Sequence, residues 1–140
     1  MLNLLISDIM NDHPISVRAD VSIRNVAHLL LRYRINGILV MDPANDRKLL
    51  GVFTSRDLLD LMGAALRSGK QRMKALNAVG GRPVAEFLKK GKLLTLQADD
   101  NAARAVALMH NKKAITIPVF SGGKVVGVVG RHDIINIAFA

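Results

Sequence analysis

The chain of 140 residues contains no cysteine and no tryptophan, and aromatic side chains make up only 4% of it. The missing cysteine removes disulfide staples, thiolate metal sites and cysteine nucleophiles together, and it fits a reducing compartment. With one tyrosine and four phenylalanines, the chain is poorly supplied with stacking platforms for nucleobases. A core must instead be assembled from Ala, Val, Ile, Leu and Met. With 50% hydrophobic residues overall, that describes a globular chain and not a disordered one. No apolar run approaches the ~18 residues that span a bilayer. The N-terminal MLNLLISD has neither the basic n-region nor the full apolar h-region of a signal peptide. A soluble, cytoplasmic protein is expected.

Catalytic signatures are missing as well. There is no nucleophile elbow, no zincin motif and no dinucleotide G-x-G-x-x-G. Gly122 to Lys124 has the GGK of a phosphate loop without the rest of that motif, and reads as a hairpin turn. His13, His28, His110 and His132 show no metal-ligand spacing. Asp99 and Asp100 start a helix, where acids are favoured by the helix dipole. Neither catalysis nor a bound metal is expected.

Acidic residues are scarce in the middle of the chain. Between Arg67 and Lys92, eight Lys and Arg face Glu86 alone and carry most of the net charge of +9. Such a segment attracts polyanions, or serves simply as a solvated basic connection.

What is present is a repeat. RADVSIRNVAHLLLRYRINGILVM (Arg18 to Met41) lies over QADDNAARAVALMHNKKAITIPVF (Gln97 to Phe120) at a constant offset of 79, with Ala19/Ala98, Asp20/Asp99, Leu29/Leu108, Ile38/Ile117 and Val40/Val119 coinciding. DPANDRKL in the first copy is replaced by the shorter SGGKV, and the alignment resumes at an offset of 76 with Gly51/Gly127, Val52/Val128 and Asp57/Asp133. The length change falls in a turn, where a hairpin tolerates it.

Apolar residues at 23, 26, 27, 30 and 31 have helical spacing, predicting a helix over Ser22 to Arg34 capped by Asp20 or Ser22. Asn101 to Asn111 matches it, with Asp99 or Asp100 as the cap. Hairpins are predicted over Gly37 to Met41 with Leu49 to Phe53, and over Ile115 to Phe120 with Lys124 to Val129. Short strands at Ile15 to Val17 and Leu93 to Leu96 precede the first helices. Second helices run from Ser55 to Leu66 and from Arg131 onward. The fold class is α/β (α+β), two βαββα copies: residues 1–66, a basic connection over 67–83, and residues 84–140. One half of ~55 residues buries too little apolar surface to be comfortable alone. The halves are therefore expected to pack about a pseudo-two-fold axis.

The two copies resemble a tandem pair of cystathionine-beta-synthase (CBS) domains, a Bateman module. The residues carrying the likeness are VRADVSIRNVAHLLLRYRINGILVMD with LLGVFTSRDLLDLM, and LQADDNAARAVALMHNKKAITIPVF with VVGVVGRHDIINIA. Together they cover residues 6–139, and a separate catalytic domain is not expected. The resemblance implies a regulatory module that binds AMP, ADP, ATP or S-adenosylmethionine in the cleft between repeats and signals to an effector protein. It also implies a homodimer formed through exposed helices, for which Leu58, Leu59, Met62, Ile134, Ile135, Ile137 and Phe139 are candidates. No obligatory cofactor is implied. The alternative is a nucleic-acid-binding or scaffold protein that uses the basic segment 67–92.

The family's nucleotide motif is Gly, two apolar residues, Ser or Thr, two variable residues and Asp. GVFTSRD satisfies it with Gly51, Thr54 and Asp57. A carboxylate offers two oxygens to the hydroxyls of a ribose, and a helix start favours a phosphate. Thr54 can add a hydroxyl, and Ser55 and Arg56 stand in the same turn. Thr54, Ser55 and Asp57 are equally good helix caps, which is the plain structural use of such residues. In GVVGRHD the hydroxyl is gone: Gly130 retains a backbone N–H, Arg131 and His132 can meet phosphate, and Asp133 remains. The second site is left open, occupied or vestigial. By the resemblance, the base lies against Ile15, Ser16, Gly37, Ile38 and Leu39 in the first copy. Its counterpart set is Leu94, Thr95, Thr116, Ile117 and Pro118 in the second. All of these serve equally as core residues.

Overall fold

The structure, a computed structural model, describes residues 3–139. The chain starts with a short helix α1 (Ile6–Ile9). The first repeat then runs β1 (Ser16–Arg18), α2 (Ile23–Tyr33), β2 (Gly37–Asp42), β3 (Asn45–Thr54) and α3 (Ser55–Leu66). A 3₁₀ turn at Gly69–Gln71 leads into α4 (Arg72–Gly80), and a second at Val84–Phe87 precedes the second repeat. That repeat is β4 (Leu96–Gln97), α5 (Ala102–Lys112), β5 (Thr116–Ser121), β6 (Lys124–Gly130) and α6 (Arg131–Phe139). The βαββα order is as expected in both copies. Among the described residues, no helix is long and apolar enough to cross a membrane.

Each repeat forms its own three-stranded sheet, ordered β1-β2-β3 and β4-β5-β6. The central strands β2 and β5 pair parallel with the strand before the helix and antiparallel with their hairpin partner. Alternate burial explains α2: Ile23, Val26 and Leu30 are buried on one face, and the Ser22 side chain accepts from the Asn25 N–H at its start. Arg34 ends it in the left-handed region at φ 51°. Lys113 ends α5 likewise at φ 57°, but the cap at the other end of α5 is Asn101, not Asp99 or Asp100. Asp100 instead accepts from the Gln97 N–H at 2.8 Å.

Two expectations are corrected. The basic connection is helical: α4 packs beside α3, and Arg24 of α2 reaches the Asn77 carbonyl at 3.1 Å. Its glycines and charges concealed this, because α4 buries no residue and so has no core face for periodicity to reveal. The pre-helix strands also differ: β1 keeps its three residues but starts one later, and β4 has two residues in place of four. Ile15, Leu94 and Thr95 lie just outside β1 and β4.

The compact units do not follow the sequence repeats. One consists of the segment ending at Ile15 with the chain from Gly91 onward; the other is Ser16–Lys90. The cause is apolar burial across chain segments. Ile6 is fully buried among Leu96, Ala105, Ile117, Val119, Val129 and Ile134 of the second repeat. In the other unit Val84 is fully buried, and its N–H donates to the Val21 carbonyl at 2.8 Å. Each repeat's core is thus completed by the segment that precedes the other repeat.

Candidate functional site

The first strand–helix junction is built by register. β2 pairs with β3 so that Gly37 lies opposite Thr54, and β1 pairs with β2 so that Ser16 lies opposite Leu39. The starts of β1 and β2 and the end of β3 therefore meet along one end of the sheet. Ser55 continues the pattern by donating its N–H to the Asn36 carbonyl at 2.8 Å. The structure thus gathers Ser16, Gly37, Ile38, Leu39, Thr54 and Ser55, with Ile15 just before β1. Ile38 and Leu39 are buried, whereas Ser16 and Arg56 are exposed.

Asp57 is the one buried charged residue among the described residues. Its carboxylate closes a capping box: Oδ2 accepts from the Thr54 N–H at 2.8 Å and from the Thr54 hydroxyl at 3.0 Å. In return the Thr54 oxygen accepts from the Asp57 N–H at 3.2 Å. The other carboxylate oxygen, Oδ1, faces the Lys89 ammonium at 3.3 Å. A carboxylate accepts at about four lone-pair positions. Capping and Lys89 account for three, so the cap leaves an acceptor position at Oδ1. The helix-cap and ligand-binding readings of Thr54 and Asp57 are therefore compatible. Arg56 points elsewhere, to Asp60 one turn along α3 at 3.6 Å.

The second junction keeps half of this arrangement. Asp133 Oδ2 accepts from the Gly130 N–H at 2.7 Å, and Arg131 donates its N–H to the Ile115 carbonyl at 3.2 Å. There is no hydroxyl to complete a box. Thr116 lies opposite Gly130 and Pro118 opposite Val128, and Ile117 and Pro118 are buried while Leu94 and Thr95 are partly so. Pro118 has no backbone N–H to offer, unlike Leu39 at the matching position. Arg131 and His132 are exposed on α6.

Two residue assignments change. Lys89 belongs to the basic segment 67–92 but not to the candidates for this junction; it shares no motif with Asp57. Ile134, expected on an exposed face, is buried in the core of its unit, whereas Leu59, Met62, Ile135 and Phe139 are exposed. No group of three or more His, Cys, Asp or Glu lies together among the described residues in a way that could hold a metal ion.

The family signature described as "CBS domain" matches residues 6–64 and again residues 84–139. The chain belongs to the CBS domain family. It is a tandem CBS pair, with one copy per repeat. Inosine-5'-monophosphate dehydrogenase of Mycobacterium bovis is 30% identical to it over 124 residues, which cover 88% of this chain and 20% of that enzyme. The chain thus spans about a fifth of the curated relative's length. A CBS-domain containing protein from Agrobacterium tumefaciens has the same fold, with a TM-score of 0.80 at 22% identity over 97% of this chain and 100% of the other. CBSX2, solved in complex with AMP, superposes with a TM-score of 0.75 at 22% identity, covering 97% and 96%. The CBS domain pair of protein MJ0100, solved with 5'-methylthioadenosine and S-adenosyl-L-methionine, gives 0.74 at 24% identity, covering 96% and 95%.

Proposed function

We propose that this CBS pair is a regulatory module that binds an adenosyl ligand at the Thr54–Asp57 junction and transmits its occupancy to a partner protein. The observation that carries the reading is the buried Asp57 carboxylate: Oδ2 is committed to the helix cap, while Oδ1 retains an acceptor position for a ribose hydroxyl. Gly37, partly exposed at the start of β2, offers backbone beside it for a base, with buried Ile38 and Leu39 behind. Complexes of CBS proteins with AMP and with S-adenosyl-L-methionine support the ligand class. The role we infer is ligand binding. An effect on the partner can be no larger than the ligand's differential affinity for two states of the module.

A thermal-unfolding titration with AMP, ADP, ATP and S-adenosylmethionine tests this. A ligand at a hundred times its Kd stabilises by roughly 2.7 kcal/mol. Asp57→Asn, which keeps one acceptor for the cap, is expected to shrink the ligand-induced shift, reflecting an affinity lower by about tenfold to a hundredfold. No shift with any of the four ligands, or an equal shift in the variant, would overturn the reading.

A second reading rests on a different surface. Arg67, Lys70, Arg72 and Lys74 are exposed on and just before α4 and take part in no ion pair among the described residues. They suit a polyanion held through phosphate. Binding of that kind weakens steeply with salt, so retention on RNA or DNA at physiological ionic strength would favour it.

A further inference from the structure

The ligand class can be narrowed by charge. Lys89 reaches Asp57 from the segment that follows the 3₁₀ turn at Val84–Phe87. The backbone there is held in place because Leu88 lies over Gly51, where an added Cβ would meet Leu88 Cδ2 at 3.2 Å. The Lys89 side chain itself is 76% exposed, whereas the Asp57 side chain is 9% exposed. An exposed ammonium thus stands at the mouth of the one buried carboxylate among the described residues, and Lys90 follows it with no acid beside it in sequence. Any hydroxyl that bonds Oδ1 must share that oxygen with Lys89 or displace it. A neutral nucleoside that shares Oδ1 weakens the ammonium's pairing and one that displaces it leaves the ammonium unpaired, whereas a sulfonium adds a second cation nearby. A phosphate supplies a new counter-ion within reach of the lysine stem.

We propose that Lys89 makes the first site selective for phosphorylated adenosyl ligands over neutral or sulfonium ones; this rests on the adenosyl-binding reading of the same junction. The second repeat lacks the device. Met10 and Asn11 lie over Gly127 as Leu88 lies over Gly51, so Asn11 is the counterpart of Lys89 in chain order. Asn11 is neutral, and its side chain accepts from the His13 N–H at 3.0 Å. A lysine paired to the junction carboxylate is therefore a feature of the first site, while the second has Arg131 and His132 exposed at its helix start.

Calorimetric titration of the full chain with AMP, adenosine and S-adenosylmethionine provides the test, using the native protein, Lys89→Gln and Lys89→Arg at low and physiological salt. AMP is expected to bind more tightly than adenosine or S-adenosylmethionine. Lys89→Gln should weaken AMP by about fivefold, as for a solvent-exposed ion pair, without weakening adenosine, and Lys89→Arg should restore it. The preference should narrow as salt rises. An unchanged AMP-to-adenosine ratio in Lys89→Gln would overturn the selectivity while leaving the site intact. Tighter binding of both ligands by the same factor would also overturn it, making Lys89 a mere competitor for the carboxylate. If the native protein binds none of the three, the adenosyl reading falls and the selectivity with it.

Discussion

Gly51 and Gly127 occupy the same position in the two hairpins, opposite Val40 and Val119, yet they face different neighbours. The atoms nearest a Cβ on Gly51 would be those of the Leu88 side chain, the first at 3.2 Å, whereas on Gly127 it would meet Met10 Sδ at 2.7 Å and the Asn11 backbone oxygen at 2.8 Å. A flexible leucine tip can give by a few tenths of an ångström. A backbone carbonyl cannot, because Asn11 also exchanges two backbone hydrogen bonds with Val128 at 2.9 and 3.0 Å. Gly127→Ala should therefore cost roughly 1–3 kcal/mol, as overpacking does, while Gly51→Ala should stay within about 1 kcal/mol of native, since alanine also restricts the unfolded chain. Urea denaturation of the two variants compares them directly; equal losses would refute the distinction. At the same scale, Thr54→Ala removes both the acceptor for the Asp57 N–H and a donor to its carboxylate. A loss of about 1 kcal/mol is expected from the cap alone, read from the same denaturation curves.

At the scale of elements, the legible parts were those whose burial follows a period. α2 and α3 and both hairpins came through within a residue or two at most ends, because one face of each is buried and their turns use Asp-Pro or Gly-Gly chemistry. The first junction was legible too, since Thr54 and Asp57 interact over a fixed local spacing. α4 was not, because it has no buried face, and Lys89 was not, because its approach to Asp57 depends on where Leu88 packs. The exchanged segments were hidden for a related reason. Ile6 sits in a short apolar stretch whose partner cannot be read from its own spacing. Since Ile6 is fully buried in the second repeat's core, Ile6→Ala should cost about 2–5 kcal/mol and should expose the amides of β5 and β6 in hydrogen exchange. Protection lost instead in β2 and β3 would contradict the assignment of this segment.

For the molecule as a whole, the two repeats share sheet order, register and a carboxylate at the same helix start, and differ in what surrounds that carboxylate. Three positions differ between the junctions: Gly130 stands in place of Thr54, Pro118 in place of Leu39, and Asn11 in place of Lys89 in chain order. If the adenosyl reading holds, titration of the native chain should give about one tight site per chain. The hydroxyl can be restored without strain, since a Cβ on Gly130 would find Asp133 Oδ2 at 3.6 Å and the Ile115 carbonyl at 3.8 Å, ordinary contact distances. Gly130→Thr places that hydroxyl within reach of Asp133 and completes the capping box found at Thr54. Glycine is already a tolerable cap, so the gain from capping is a few tenths of a kcal/mol; replacing glycine at the end of a strand adds about 0.5–1 kcal/mol. The variant should therefore be more stable than native by up to about 1 kcal/mol, and the second site should tighten without reaching the first, because Pro118 and Asn11 still differ. Stabilisation without any change at the second site would assign the Thr-to-Gly difference to helix capping alone. A loss of stability would show that the second junction is not the counterpart of the first.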